Sequence, residues 1–492
     1  MNIEENTNSK PLTMRINSIG FKNFRKFHDF PSIDLGRLNL LVGTNNSGKS
    51  TVIKALIFAV KNCLDVFRMP SPSRFISFKN MVDSHLHLGD FLSNLPEDAD
   101  GKIMEMLIGA ENYRISFVLD GTTLEKGSAN LLVPVKEILV LNTDNEMELC
   151  YTFSDPNILD VSIRFDKEKF TDLKKVTKSF TQRNKNSGWF DSKKISKYID
   201  DLGDNEWHSY VEHPIQDENE ESMFLSEVQS FAYGELQAVL LKSDYLVEPC
   251  VMYVEAHNAT HDEIVYEEDK NNYLAKTIVD YATADIEYDS KAIPNNSHSN
   301  QTFDQKSLPF IQKWMKELGI GDNFDIKRPF SGCLKVDIKS NEKWMPLSSK
   351  GTGAIQAFIL ILNIASALRK SYLTPTIVFI EEPEQNMHPA LQSKLADFFL
   401  EAIDTANGKL QLVVETHSEY LIRRSQVYVA EHVKLGSDID VFNQDIKVYY
   451  FPKDGLPYDM EFRSSGHFLK KFGNGFFDEA SNHCLSLLNL NR

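Results

Sequence analysis

Residues 38–51 read LNLLVGTNNSGKST, and that stretch decides the fold. Residues 38–42 are apolar apart from Asn39, the pattern of a strand covered on both faces. The chain then enters Gly43-Thr44-Asn45-Asn46-Ser47-Gly48-Lys49-Ser50, which fits GxxxxGK[ST], and continues as VIKALIFAV over 52–60 with helical spacing. Between a strand and a helix, such glycines let consecutive backbone N–H groups turn inward around phosphates. Lys49 then reaches the β and γ phosphates, and Ser50 offers a hydroxyl to Mg2+. A Gly-rich turn with a solvated lysine is the bland alternative, and the flanking strand and helix disfavour it.

Three further clusters extend this chemistry. Residues 377–384 read IVFIEEPE, four apolar residues ending in adjacent carboxylates. A buried strand delivers its last residues to the sheet edge where ligands bind. There Glu381 can organise Mg2+ and its waters, and Glu382 can orient or deprotonate an attacking water. Residues 413–418, VVETHS, repeat the pattern and place His417 where a neutral imidazole can hydrogen-bond a γ-phosphate or the water. Residues 347–353, LSSKGTG, run into AIQAFILIL. Hydroxyls and glycine N–H groups at a helix N-terminus form an anion site, and a serine N-cap there does not compete with that role.

The whole chain of 492 residues carries 53 Lys and Arg against 70 Asp and Glu, a net charge of −17, so a polyanion could bind only at a local basic patch. One candidate is 174–197, where Lys174, Lys175, Lys178, Arg183, Lys185, Lys193, Lys194 and Lys197 are interleaved with Phe180, Trp189 and Phe190. That mixture suits backbone neutralisation with base stacking. The following stretch, 200–221, has nine acids and no Lys or Arg, so the two halves could equally neutralise each other as a solvated insertion. Cys63, Cys150, Cys250, Cys333 and Cys484 are scattered without CxxC spacing, which argues against a disulfide framework or zinc site and fits the cytoplasm. The most apolar run, 354–368, is shorter than the roughly 20 residues of a membrane span, and no membrane contact is expected.

In this order the four clusters resemble the ABC-type ATPase heads of the SMC, RecF and OLD families. FKNFRKF at 21–27, the IEEPEQNMHP form of 380–389, THS at 416–418 and the tail FGNGFFDEA at 472–480 are similar to the OLD-like branch. The resemblance implies an α/β head, a mixed sheet flanked by helices, with a largely helical insertion between Walker A and the signature loop. Gly43, Asn45, Asn46, Ser47, Gly48, Lys49, Ser50 and Thr51 would surround ATP, with Arg25 joining them. Ser50 and Glu381 would hold Mg2+, and Glu382 and His417 would be catalytic. Ser348, Ser349, Gly351, Thr352 and Gly353 would form the signature loop that completes the site of a second head, hence a head-to-head homo-oligomer.

On that basis residues 1–13 are a disordered lead-in, and 14–63 form the N-terminal lobe with Walker A. Residues 64–320 continue the head and carry the insertion, whose charged helical part lies at about 165–245. Residues 321–492 hold the signature, Walker B, D-loop and switch histidine. A Q-loop glutamine is not evident, and 87–91 (HLGDF) is the nearest substitute. The 75 residues after His417 show no Toprim-type carboxylate pattern beyond Asp438-Ile439-Asp440. The resemblance therefore implies the sensor ATPase of a PARIS- or Septu-type antiphage system, paired with a separate nuclease effector and a phage-encoded trigger. A RecF- or SMC-like repair ATPase binding DNA through 174–197 is the alternative. A transporter subunit is disfavoured by the long Walker A to Walker B separation and the non-LSGGQ signature.

Lys49→Ala should cost about 100-fold in ATP affinity, the worth of one or two charge-assisted hydrogen bonds to phosphate. Titration of a fluorescent ATP analogue checks it, and undiminished affinity in the folded variant would remove the phosphate loop from the account.

Overall fold

A computed structural model describes residues 15–68, 75–78, 88–99, 101–110, 112–125, 132–143, 148–155, 158–164, 208–209, 250–256, 261–269, 272–283, 299–372, 374–474 and 476–490. The basic stretch 174–197 lies outside the described residues. So does the expected charged helical part at 165–245, apart from His208 and Ser209. The chain divides into two units, residues 1–33, 54–81 and 86–246 in one and 34–53, 82–85 and 247–492 in the other.

The first unit is built on strand. Its sheet runs β10 (His208–Ser209), β9 (Ile158–Arg164), β8 (Glu148–Asp155), β7 (Leu132–Asn142), β6 (Tyr113–Asp120), β5 (Ile103–Ala110), β1 (Ile16–Phe24) and β2 (Phe27–Asp34), with β4 (Phe75–Ser77) paired to β7. The insertion expected to be largely helical is thus mostly strand where it is described. The FKNFRKF stretch is the end of β1, the two-residue turn at 25–26 and the start of β2. Phe21, Phe24, Phe27 and Phe30 are buried, Phe21 stacks on Phe30 at 4.4 Å between centroids, and Phe27 meets both edge-on. Asn23 (φ 52°) and Arg25 (φ 55°) take the left-handed backbone that lets the chain reverse within two residues.

The second unit holds the sheet that positions the clusters. Its order is β11 (Cys250–Val254), β16 (Thr376–Glu381), β17 (Leu410–Thr416), β3 (Leu38–Gly43), β18 (Ile446–Phe451) and β19 (Tyr458–Asp459). The first five are parallel, so their carboxyl ends share one edge. β16 and β17 are mainly apolar and buried, as strands covered on both faces are, with Thr376 and Gln411 the buried polar residues ahead of their ends. Asn39 is the buried exception in β3. Its side chain donates to the Leu412 and Gly36 carbonyls and accepts from Gly36 N–H, pinning β3 against β17.

Helix α1 (Lys49–Arg68) leaves the phosphate loop directly. Helices α2 (Tyr273–Thr283) and α3 (Ser299–Glu317) pack on α4 (Thr352–Ser371), the central core helix. α4 is long and apolar enough to cross a bilayer by composition, but 83% of that window is buried inside the protein. Its two internal amides are satisfied, Asn363 by Thr277 and the Ile359 carbonyl and Gln356 by Asn386. A small antiparallel sheet of β12 (Val265–Tyr266), β14 (Cys333–Ser340), β13 (Asn323–Lys327) and β15 (Lys343–Pro346) leads into the signature loop.

Two helices follow β16, α5 (Pro389–Gln392), capped by the His388 side chain, and α6 (Lys394–Thr405). α7 (Glu419–Lys434) follows the switch histidine and is capped by Ser418. α8 (Ile439–Asp445) and α9 (Glu479–Leu490) come later.

Candidate functional site

The site forms where the carboxyl ends of β3, β17 and β16 meet. Gly43 closes β3, and a Cβ there would lie 2.3 Å from the Phe451 carbonyl oxygen of β18, so only glycine fits. Asn46 (φ 62°) and Gly48 (φ 105°) then turn the loop, and α1 begins at Lys49 with the Val52 N–H donating to the Gly48 carbonyl. Left-handed residues in such a loop aim successive N–H groups into a concavity that suits an anion.

Lys49 is turned inward. Its ammonium donates to the Gly43 and Thr44 carbonyls at 3.2 and 2.9 Å and stands 3.6 Å from Glu415 Oε1, the two side chains being only 2% and 6% exposed. Burial pulls the Lys49 pKa below the usual lysine range, opposed by Glu415. Burial pushes Glu415 above the usual carboxylate range, opposed by Lys49 and by the Ser50 hydroxyl, which donates to Glu415 at 3.1 Å.

Glu415 is the residue that sequence reading missed. It lies in VVETHS beside the singled-out His417, and the signal was available in its position at the end of an apolar strand. Glu381 was expected to join Ser50 at the metal. The structure puts Glu415 on Ser50 instead, because β17 is inserted between β3 and β16. Glu381 pairs in register with Glu415 one strand farther out, and its side chain is hydrogen-bonded by the Tyr253 hydroxyl of β11.

Glu382 follows at the strand end with φ 41°, an uncommon conformation for a residue with a side chain and one that clusters at functional sites. Its N–H donates to the Glu415 carbonyl at 2.8 Å, Gln385 hydrogen-bonds its carboxylate, and His417 Nε2 lies 3.8 Å from its Oε1. Burial and the Lys49 charge lower the His417 pKa, partly opposed by Glu382, so the imidazole is neutral at pH 7. Buried Glu384, also outside the expected site, accepts the His417 backbone N–H at 2.6 Å and so ties the IEEPE turn to the histidine loop.

The signature residues are arranged by two separate contacts. Ser348 and Thr352 are bridged by His261, whose Nδ1 lies 3.2 Å from the Ser348 carbonyl and Nε2 3.1 Å from Thr352 Oγ1. A Cβ on Gly353 would sit 2.2 Å from the Asn386 carbonyl, whereas one on Gly351 would meet nothing within 4 Å. The Ser349 hydroxyl donates to the Pro346 carbonyl. Arg25 belongs to the other unit, where its guanidinium and backbone N–H hold Asn94. Of the suggested Q-loop substitute, residues 88–91 are described there too, with Leu88 and Phe91 buried.

The loop fits a nucleotide phosphate on its own chemistry. Thr44 Oγ1 and Ser47 Oγ are buried without a hydrogen-bond partner, and a buried polar group left unpaired costs about 1–3 kcal/mol, so both await an acceptor or donor. Mg2+ fits as well, since Ser50 presents its hydroxyl beside a carboxylate.

The chain is similar to several known proteins. The model of the AAA ATPase domain family matches residues 14–422. Endonuclease GajA of Bacillus cereus strain HuB5-5 is 19% identical over 430 residues, a match covering 83% of this chain and 56% of the relative, so the chain spans little more than half of that protein's length. Among solved structures, an SMC head bound to the C-winged helix domain of ScpA is 12% identical with a TM-score of 0.37, covering 90% of this chain and 97% of that one. The SMC head domain from Thermotoga maritima is 11% identical with a TM-score of 0.31, covering 92% of this chain and all of that one.

Burial raises the Glu384 pKa, so the folded protein favours the protonated acid. Its contribution to stability is full below the unfolded value of about 4.5 and declines as pH rises toward the folded value. Glu384→Gln, which does not titrate, should therefore melt with wild type at pH 4 and roughly 2–4 °C above it at pH 7.5. Thermal melts at the two pH values check this, and an equal difference at both would contradict it.

Proposed function

The chain belongs to the AAA ATPase domain family and is an ATPase, and from that premise we propose how its residues divide the work. Lys49 and the N–H groups of 44–50 hold the triphosphate of ATP, with Gly43, Gly48 and Thr51 shaping the loop. Mg2+, when bound, would draw on Ser50 and the Glu381–Glu415 row and would neutralise developing phosphate charge. Glu382 orients the attacking water and takes its proton. His417, neutral beside it, hydrogen-bonds the γ-phosphate or that water. The observation that carries this reading is the meeting of Lys49, Ser50, Glu382, Glu415 and His417 at one sheet edge from neighbouring parallel strands.

Ser348, Ser349, Gly351 and Thr352 complete the site of a second copy, which makes the working unit a homo-oligomer. Gly353 is excluded from that list as a probe, since its own chain already requires glycine there. Glu382→Gln should retain ATP while losing turnover by at least about 100-fold. Gly351→Tyr, which its own chain can accommodate, should do the same, and the wild-type rate per subunit should fall on dilution. Steady-state phosphate release checks all three. Turnover within a few-fold of wild type in Glu382→Gln would move the base to Glu384 or His417, and a fully active dilute monomer would refute the shared site.

At the system level we propose a cytoplasmic sensor ATPase of antiphage defence that controls a separate nuclease and answers a phage-encoded trigger. Two observations support it. The likeness to an endonuclease covers the chain largely within the ATPase family match. The DxD-like pair that follows His417 has a structural use: exposed Asp438 caps α8 by accepting the Asp440 N–H at 3.0 Å. The purified chain with ATP and Mg2+ or Mn2+ should leave plasmid DNA and tRNA intact. Cleavage lost on Asp438 or Asp440 substitution would assign the nuclease to this chain.

A further inference from the structure

We propose that Glu382, Glu415 and His417 form a divalent-cation site that fills in the nucleotide-free protein and favours an ion of the Mn2+ or Zn2+ class over Mg2+. One ligand atom from each residue lies within 4.8 Å of the others. Ligands about 2.1 Å from a tetrahedral ion stand roughly 3.4 Å apart, so rotations that move the donors by about 1 Å close the set. Two of the three are already fixed from behind. Gln385 holds the Glu382 carboxylate, and Glu384 holds the backbone at His417. Such supporting bonds orient metal ligands.

Glu415 supplies the observation that points to a ligand. Its Oε1 serves Ser50 and Lys49, while its Oε2 is buried with no hydrogen-bond partner. Charge argues the same way. Glu381, Glu382 and Glu415 crowd the ends of two strands, with Lys49 placed beside Glu415. A divalent ion relieves that excess. An imidazole beside two carboxylates selects borderline transition ions, whereas Mg2+ prefers oxygen ligands alone.

The consequence is regulatory. An ion on Glu382 and His417 occupies the two groups assigned to hydrolysis, so it acts as a brake that must leave or shift before turnover. Binding itself needs neither nucleotide nor hydrolysis, so its failure is separable from failure of the ATPase reading.

The test uses the full-length, nucleotide-free chain and Mn2+ alone, followed by electron paramagnetic resonance. One Mn2+ per chain should bind, and Zn2+ should displace it. His417→Ala and Glu415→Gln should each weaken Mn2+ binding by at least about tenfold. Spin-echo modulation of the wild-type complex, which requires no variant to fold, should show coupling to an imidazole nitrogen. Absence of Mn2+ binding without nucleotide, or a bound ion lacking nitrogen coupling, would overturn the proposal. So would affinities unchanged in both variants.

Discussion

The buried pairing of Lys49 with Glu415 is the constraint on which the site depends. Two charges this far from water are tolerated only where geometry and hydrogen bonds are good, and removing one partner of such a pair costs about 3–5 kcal/mol. Here Lys49 also has two carbonyls, and Glu415 has Ser50. The pair exists because β17 is inserted between the strand that carries the phosphate loop and the strand that carries the two glutamates. The loop lysine is therefore satisfied by its own chain. Nucleotide binding must exchange the Gly43 and Thr44 carbonyls for phosphate oxygens, and the preorganised cradle, with Thr44 and Ser47 hydroxyls waiting, favours that exchange.

One turn links everything around this pair. Residues 382–387 place Glu382 beside His417, and Glu384 on the His417 backbone. Asn386 meets α4, its side chain on Gln356 and its carbonyl against Gly353. A shift of this turn when phosphate arrives would reach both the histidine loop and the start of the signature helix without crossing solvent. The positive φ of Glu382 fits such a role, since strain held by neighbouring bonds is readily redistributed.

Much of this was legible in sequence. The phosphate loop announces itself because strand, glycines and helix follow one another locally. The glutamates and histidine are visible because each ends an apolar run. Strand order is not local, and that is why Glu381 was expected on Ser50 and Glu415 was overlooked. In FKNFRKF the phenylalanines are core and Arg25 holds Asn94 within the first unit, contacts that no local pattern announces. Gly353 looks like part of a shared anion site, and its own chain already demands it. His261 could not be anticipated, because its contacts with Ser348 and Thr352 span about 90 residues.

Lys49 is the group that a nucleotide must recruit from the Gly43 and Thr44 carbonyls. An experimental structure with Mg2+ and a non-hydrolysable ATP analogue, read at one atom, tests it most directly. Lys49 Nζ should leave the Gly43 and Thr44 carbonyls and lie about 3 Å from a β- or γ-phosphate oxygen. An analogue bound elsewhere, with Lys49 still on those two carbonyls, would contradict the account.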